Sequence, residues 1–137
     1  METVREYIAP HLSADTLRRI QALEEERTSG FCPETSYQER LLSIFRNEKN
    51  APRIKKALNN DFNLSSTISD HFLARLLARH GDTCIDFIMR TVEHGIKLSK
   101  KNKTSKVYTG DCAITYDPFQ RTLISIYPKR SLHTVRH

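Results

Sequence analysis

The chain has no tryptophan, only four glycines and only three cysteines in 137 residues. An odd number of scattered cysteines (Cys32, Cys84 and Cys112) excludes a disulfide framework, and their spacing does not match a zinc site. They read as buried, reduced thiols. No apolar run approaches bilayer-spanning length, and the acidic, polar N-terminus lacks the pattern of a secretory signal. The expectation is therefore a protein acting in the cytoplasm, without a membrane segment. There is no phosphate-cradling Walker loop, no dinucleotide fingerprint and no HExxH pair, so neither a cofactor nor a metal is expected. With 38% hydrophobic and 28% charged residues, the chain has material for one modest core.

Charge is distributed unevenly. Residues 1–66 hold ten Lys or Arg against ten Asp or Glu, whereas residues 67–137 hold twelve against six. The whole excess of +6 thus lies in the second half. A field concentrated on one module recruits polyanions better than the same charge spread evenly. Five lysines, Lys97, Lys100, Lys101, Lys103 and Lys106, cluster within ten residues and are candidates for RNA binding. The competing account is that they only keep a hairpin soluble and guard its edge.

The first half reads as helices. Val4, Tyr7, Ile8 and Leu12 suit a short amphipathic helix, and Ser13 then caps a helix carrying Leu17, Ile20 and Leu23, which stops at Gly30. Helical spacing resumes after Pro33 with Tyr37, Leu41, Ile44 and Phe45, and a short helix follows from about Pro52 to Leu58. The polar break NNDFNLSS marks the expected boundary between a helical region, 1–66, expected to position RNA or meet an inhibitor or delivery partner, and a basic module, 67–137. In the second half, Ser69 or Thr67 caps a helix with Phe72, Leu73, Leu76 and Leu77 on one face and His71, Arg75 and Arg79 along a polar stripe. Gly81 is placed to take the left-handed position after it. Asp82 then caps a helix bearing Ile85, Ile88, Met89 and Val92. The segments IKLS, KVYT, CAITY and TLISIY read as strands, with DPFQR as a turn. The expected fold is α+β: a helical region, then two helices packed on a three- to four-stranded antiparallel meander.

A carboxylate-based site is unconvincing, because Asp82 and Asp117 are accounted for as cap and turn. Histidine, arginine and lysine suit metal-independent RNA cleavage instead. In that reaction a base takes the ribose 2′-OH proton, the oxygen attacks the neighbouring phosphate, an acid protonates the leaving oxygen, and cations offset the charge on phosphorus. His80 closes a helix, where the dipole favours the protonated ring. His71 shares its stripe with Arg75 and Arg79, whose forks match phosphate oxygens. His94 reads as structural, and His133 and His137 fall in a terminal tail. Tyr108, Tyr116, Tyr127 and Ser125 read by themselves as sheet residues.

The stretch LLARHGD, followed by a helix, a lysine-rich connection and YDPFQRTLISIYP, resembles the barnase–EndoU–colicin–RelE-like nuclease superfamily over about residues 67–130. Members often carry an Arg/Lys-His pair closing a helix and a last strand reading hydroxyl–x–Tyr–Pro after an Asp-containing turn. Arg79-His80, Asp117 and Ser125-Ile126-Tyr127-Pro128 match those features. Many relatives have a second histidine just before the pair, where this chain has Arg75, with His71 further upstream. The resemblance implies a ribonuclease toxin acting on RNA, frequently tRNA, and neutralised by a cognate immunity or antitoxin protein. Together with the residue reading, the expected site has His80 as main acid–base group and His71 as second, Arg75 and Arg79 on phosphate, and Ser125 and Tyr127 lining it. Two other readings remain open: a non-catalytic nucleic-acid-binding regulator, and a protein-interaction or inhibitor module.

Overall fold

The computed structural model describes residues 2–94, 96–99, 106–109 and 112–128, with 96–99 and 106–109 described by their backbone. Helix α1 (Val4–Ile8) leads through a 3-10 turn (Ala9–His11) into α2 (Ala14–Thr28), α3 (Glu34–Arg46) and α4 (Ala51–Asp61). A two-residue strand β1 (Thr67–Ile68) precedes α5 (Asp70–His80) and α6 (Ile85–His94). Strands β2 (Ile96–Ser99), β3 (Lys106–Thr109), β4 (Cys112–Asp117) and β5 (Thr122–Pro128) complete the fold. The sheet order is β1-β5-β4-β3-β2, with β1 parallel to β5 and the other four forming the expected antiparallel meander. Among the described residues no helix is long and apolar enough to cross a membrane.

Local chemistry explains most element boundaries. Thr3 and Glu6 form a reciprocal capping box on α1, and Ser13 and Ser69 each accept from a backbone N–H three residues on, starting α2 and α5. Gly30 takes the left-handed conformation (φ +80°) that ends α2 without a Cβ penalty. At the hairpin between β4 and β5, Asp117 Oδ1 accepts from the N–H groups of Phe119 and Gln120, at 2.8 and 3.2 Å.

Two expected termini differ. Gly81 stands in the right-handed helical region (φ −54°, ψ −36°), not the left-handed one. Its requirement is space: a Cβ there would lie 2.8 Å from both Arg5 Nη2 and the Leu77 carbonyl oxygen. Asp82 is not a cap, because α6 begins at Ile85; its exposed carboxylate pairs with Arg5 at 3.5 Å. Cys32 and Cys112 are buried as expected, but Cys84 is only half-buried.

The core runs across the change in charge at residue 66. Val4, Ile8, Leu23, Tyr37, Leu41, Phe45, Ile54 and Leu58 from the first half join Phe72, Leu73, Leu76, Ile88, Ile114 and Ile126 from the second in one buried cluster. Backbone bonds stitch the halves as well. Val4 N–H donates to Thr83 O, Arg5 N–H to Gly81 O, and Ile85 N–H to Glu2 O, each at 2.9 Å. Residue 66 thus marks a change in composition and element type within a continuous core. Helix α5 lies at its centre, packed on α3 from one side and on β5 from the other.

Candidate functional site

A helix at the centre of a core has little surface to offer. From His71 to His80, every residue of α5 is buried except His71, Arg75 and Arg79. These three recur every four residues, so they form a single stripe. Phe72, Leu73, Leu76 and Leu77 anchor the rest of the helix, each contributing about 1.5–3 kcal/mol by leaving water. The stripe is therefore held on a rigid support.

Helix α3 supplies the opposite wall. Gln38, near its start, accepts through Oε1 from Arg75 Nη1 and, at 3.3 Å, from Arg79 Nη2. Arg46, at its end, acts electrostatically on His71. The two helices thus run antiparallel, with Gln38 of α3 beside Arg75 and Arg79 of α5 and Arg46 toward His71. Two guanidinium donors converging on one amide fix its oxygen toward them.

Strand β5 closes the groove at the Arg79 end. Strand β1 pairs with Thr122 and Leu123, and among the described residues the following carbonyls on that edge have no strand partner. Ser69 Oγ donates to Ile124 O at 3.2 Å, and Arg79 Nη1 donates to Ile126 O at 2.6 Å. The Arg79 guanidinium carbon lies 4.6 Å from the centre of the Tyr127 ring, a cation–π contact. Arg79 thereby fastens α3, α5 and β5 together while keeping its charge at the rim. Tyr127 is exposed there at 37%.

The groove carries cations without matching anions. Among the described residues, Arg46, Arg75 and Arg79 form no salt bridge; the nearby Glu34 carboxylate is engaged by Arg27 Nε at 3.0 Å. The neutral Gln38 amide satisfies hydrogen bonds and cancels no charge. Desolvation lowers the Arg79 pKa, and the Arg75 guanidinium lowers it further. His71 is shifted in the same sense, first by desolvation and then by Arg75, Arg79 and Arg46. Both effects favour its neutral form, which carries a lone pair able to accept a proton.

Two expected site residues are placed elsewhere. His80 is buried at 8% exposure, and among the described residues its Nε2 has no hydrogen-bond partner. Burial, with a smaller contribution from Arg79, pushes its pKa down to about 4. Desolvation outweighs the helix-end dipole that favours the protonated ring. Ser125 is likewise buried, at 3%, and its Oγ is unpartnered among the described residues. Neither side chain reaches the groove surface. Of the lysines, Lys97 and Lys106 lie on β2 and β3, whose backbone alone is described, while Lys100, Lys101 and Lys103 lie outside the described residues, as do His133 and His137.

Gln38 and Arg46 are the residues that sequence reasoning missed. Their only prior signal is a shared face of α3, spaced by eight residues, which says nothing about α5. Among the described residues no three His, Cys, Asp or Glu side chains gather into a potential metal site. A concavity of about 520 Å³ lies along α2, lined by Gln21, Glu24, Glu25, Thr28 and Ser29. Its carboxylates give it the wrong sign for an anionic ligand. Comparisons with protein-family models, with curated proteins and with solved structures find no match.

Proposed function

We propose that the groove between α3 and α5 binds RNA phosphate and cleaves the chain by metal-independent attack of the ribose 2′-OH. The observation that carries this reading is the open stripe of α5. From His71 to His80 it places an imidazole and two arginines, which form no salt bridge among the described residues, on an otherwise buried stretch of helix.

In the proposed reaction His71 accepts the 2′-OH proton as the oxygen forms a bond to the neighbouring phosphorus. Arg75 and Arg79 hold the non-bridging oxygens and offset the charge that builds there. The bond from phosphorus to the 5′ oxygen breaks, and that oxygen takes a proton from the Tyr127 hydroxyl. The products are a 2′,3′-cyclic phosphate and a 5′-hydroxyl. Lowering the His71 pKa keeps the base unprotonated at neutral pH, which suits this direction of proton transfer.

A ribonuclease toxin is the biological role that fits such a site, in keeping with the superfamily resemblance. Transfer RNA is the first substrate to test, and an immunity or antitoxin protein is the partner to seek. The rival reading, a non-catalytic RNA-binding regulator, draws on one specific observation: burial of His80 leaves a single described imidazole at the groove.

The experiment is incubation of the purified protein with total tRNA in EDTA. Cleavage products ending in 2′,3′-cyclic phosphate should form, should be lost with His71→Ala, and should persist with His80→Leu. Binding without scission by the parent protein would favour the regulator. Cleavage undiminished by His71→Ala would remove the proposed base.

A further inference from the structure

The neutral balance of residues 1–66 conceals a second separation of charge. Residues 1–39 carry four Lys or Arg against eight Asp or Glu, whereas residues 40–66 carry six against two. The two acids in the basic segment are occupied. Glu48 is buried and accepts from Ser13 Oγ at 3.3 Å and from Asn50 N–H at 3.1 Å. Asp61 accepts from the Tyr7 hydroxyl at 2.6 Å. Two of the six cations are also paired, Arg40 with Glu26 and Lys55 with Asp70, both at 2.6 Å. The remaining four, Arg46, Lys49, Arg53 and Lys56, are exposed and form no salt bridge among the described residues.

Their position ties them to the groove. Arg46 closes α3, the helix packed against α5, and its charge adds to those of Arg75 and Arg79 in lowering the His71 pKa. Helix α4, which carries Arg53 and Lys56, borders β1 and sends Lys55 to Asp70, the residue immediately before His71. The exposed cations of this segment therefore begin where the arginine stripe of α5 ends. Pro52 and the buried Ala51, Ile54 and Leu58 fix α4 in place, so its charges are presented from a packed helix.

We infer that Arg46, Lys49, Arg53 and Lys56 form an extended subsite for single-stranded RNA, carrying the chain from the α3–α5 groove onto α4. This rests on the proposed phosphate site and deepens it. The helical region becomes part of the substrate surface, and the ligand becomes a chain several nucleotides long. Such contacts supply affinity that depends on chain length and salt.

The test uses the full chain and fluorescein-labelled 2′-O-methyl RNA, which lacks the attacking hydroxyl and stays intact. Parent protein, the double variant Arg53→Glu/Lys56→Glu and the control Arg18→Glu/Arg19→Glu are titrated with oligomers of about three and about twelve nucleotides, across a salt series. Reversing two contact charges should weaken binding of the longer oligomer by at least about tenfold at low salt and reduce the slope of log affinity against log salt by about 1.4. The short oligomer should change less than about twofold, and the α2 control, with the same change in net charge, should lose clearly less than the Arg53/Lys56 variant. Equal losses in both double variants would show a whole-molecule charge effect and overturn the subsite, as would no loss in either. A length-dependent loss in a protein that never cleaves tRNA would sustain the subsite and remove the catalytic proposal. Failure of the parent to bind either oligomer would remove both.

Discussion

Replacing His80 with leucine separates burial from catalysis in one experiment. In the folded protein the imidazole is driven to a pKa of about 4, while in the unfolded chain it titrates near the ordinary 6.5. A depressed pKa means that folding favours the neutral ring. The associated stability is complete above pH 6.5 and is lost as pH falls toward 4, where the unfolded state binds the extra proton. Between about pH 7.5 and about pH 5 the linkage amounts to about 2 kcal/mol, or about 1.5 kcal/mol after allowing for solvent at the partly open ring. Carboxylates and His71 titrate in both proteins, so the difference between parent and variant isolates His80. Urea unfolding at both pH values should show the parent losing about 1.5 kcal/mol more than His80→Leu. At neutral pH the variant should lie within about 1 kcal/mol of the parent, because it removes a buried nitrogen that has no described partner. RNA cleavage should be retained. Equal acid sensitivity would refute the burial argument, and a folded but inactive variant would return His80 to the reaction.

Gln38→Glu places a carboxylate on the oxygen shared by Arg75 and Arg79. It should compete with phosphate, weakening RNA binding about tenfold in a salt-dependent titration, and it should raise the pH at which cleavage switches on by stabilising protonated His71. Gly81→Ala should cost about 1–2 kcal/mol in thermal or urea unfolding, since the new methyl meets the backbone oxygen of Leu77, which cannot swing away as Arg5 can.

Local rules made much of the fold legible. Caps at Ser13 and Ser69, the Asp117 turn and the alternation in CAITY and TLISIY depend on near neighbours in sequence, and they predicted elements close to those observed. The short parallel pairing of Thr67 and Ile68 with β5 could not be read in the same way, because two residues have no periodicity and their partner lies more than fifty positions away. Site chemistry was legible only as a stripe. His71, Arg75 and Arg79 share a face by helical geometry alone, but whether that face opens to water depends on what packs around it. His80 shows the limit: its place at a helix end suggested a protonated ring, and tertiary burial reversed the sign. Ser125 failed for the same reason, since alternation along β5 places it opposite Ile126 without revealing that its own face is also covered.

That dependence on packing ties the stripe to the helical half. Removed from α3, the stripe on α5 would lose the Gln38 oxygen that draws Arg75 and Arg79 together and the Arg46 charge that helps keep His71 neutral. The apolar surface that α5 buries against Tyr37, Leu41 and Phe45 would also face water. Sequence places the imidazole and its arginines on one element, and tertiary structure tunes them from another. The acidic stretch Glu24 to Glu26 of α2 and the basic segment 40–66 give the first half patches of both signs. If the chain binds RNA as proposed, such a field would draw the polyanion toward α4 and α5 and away from α2.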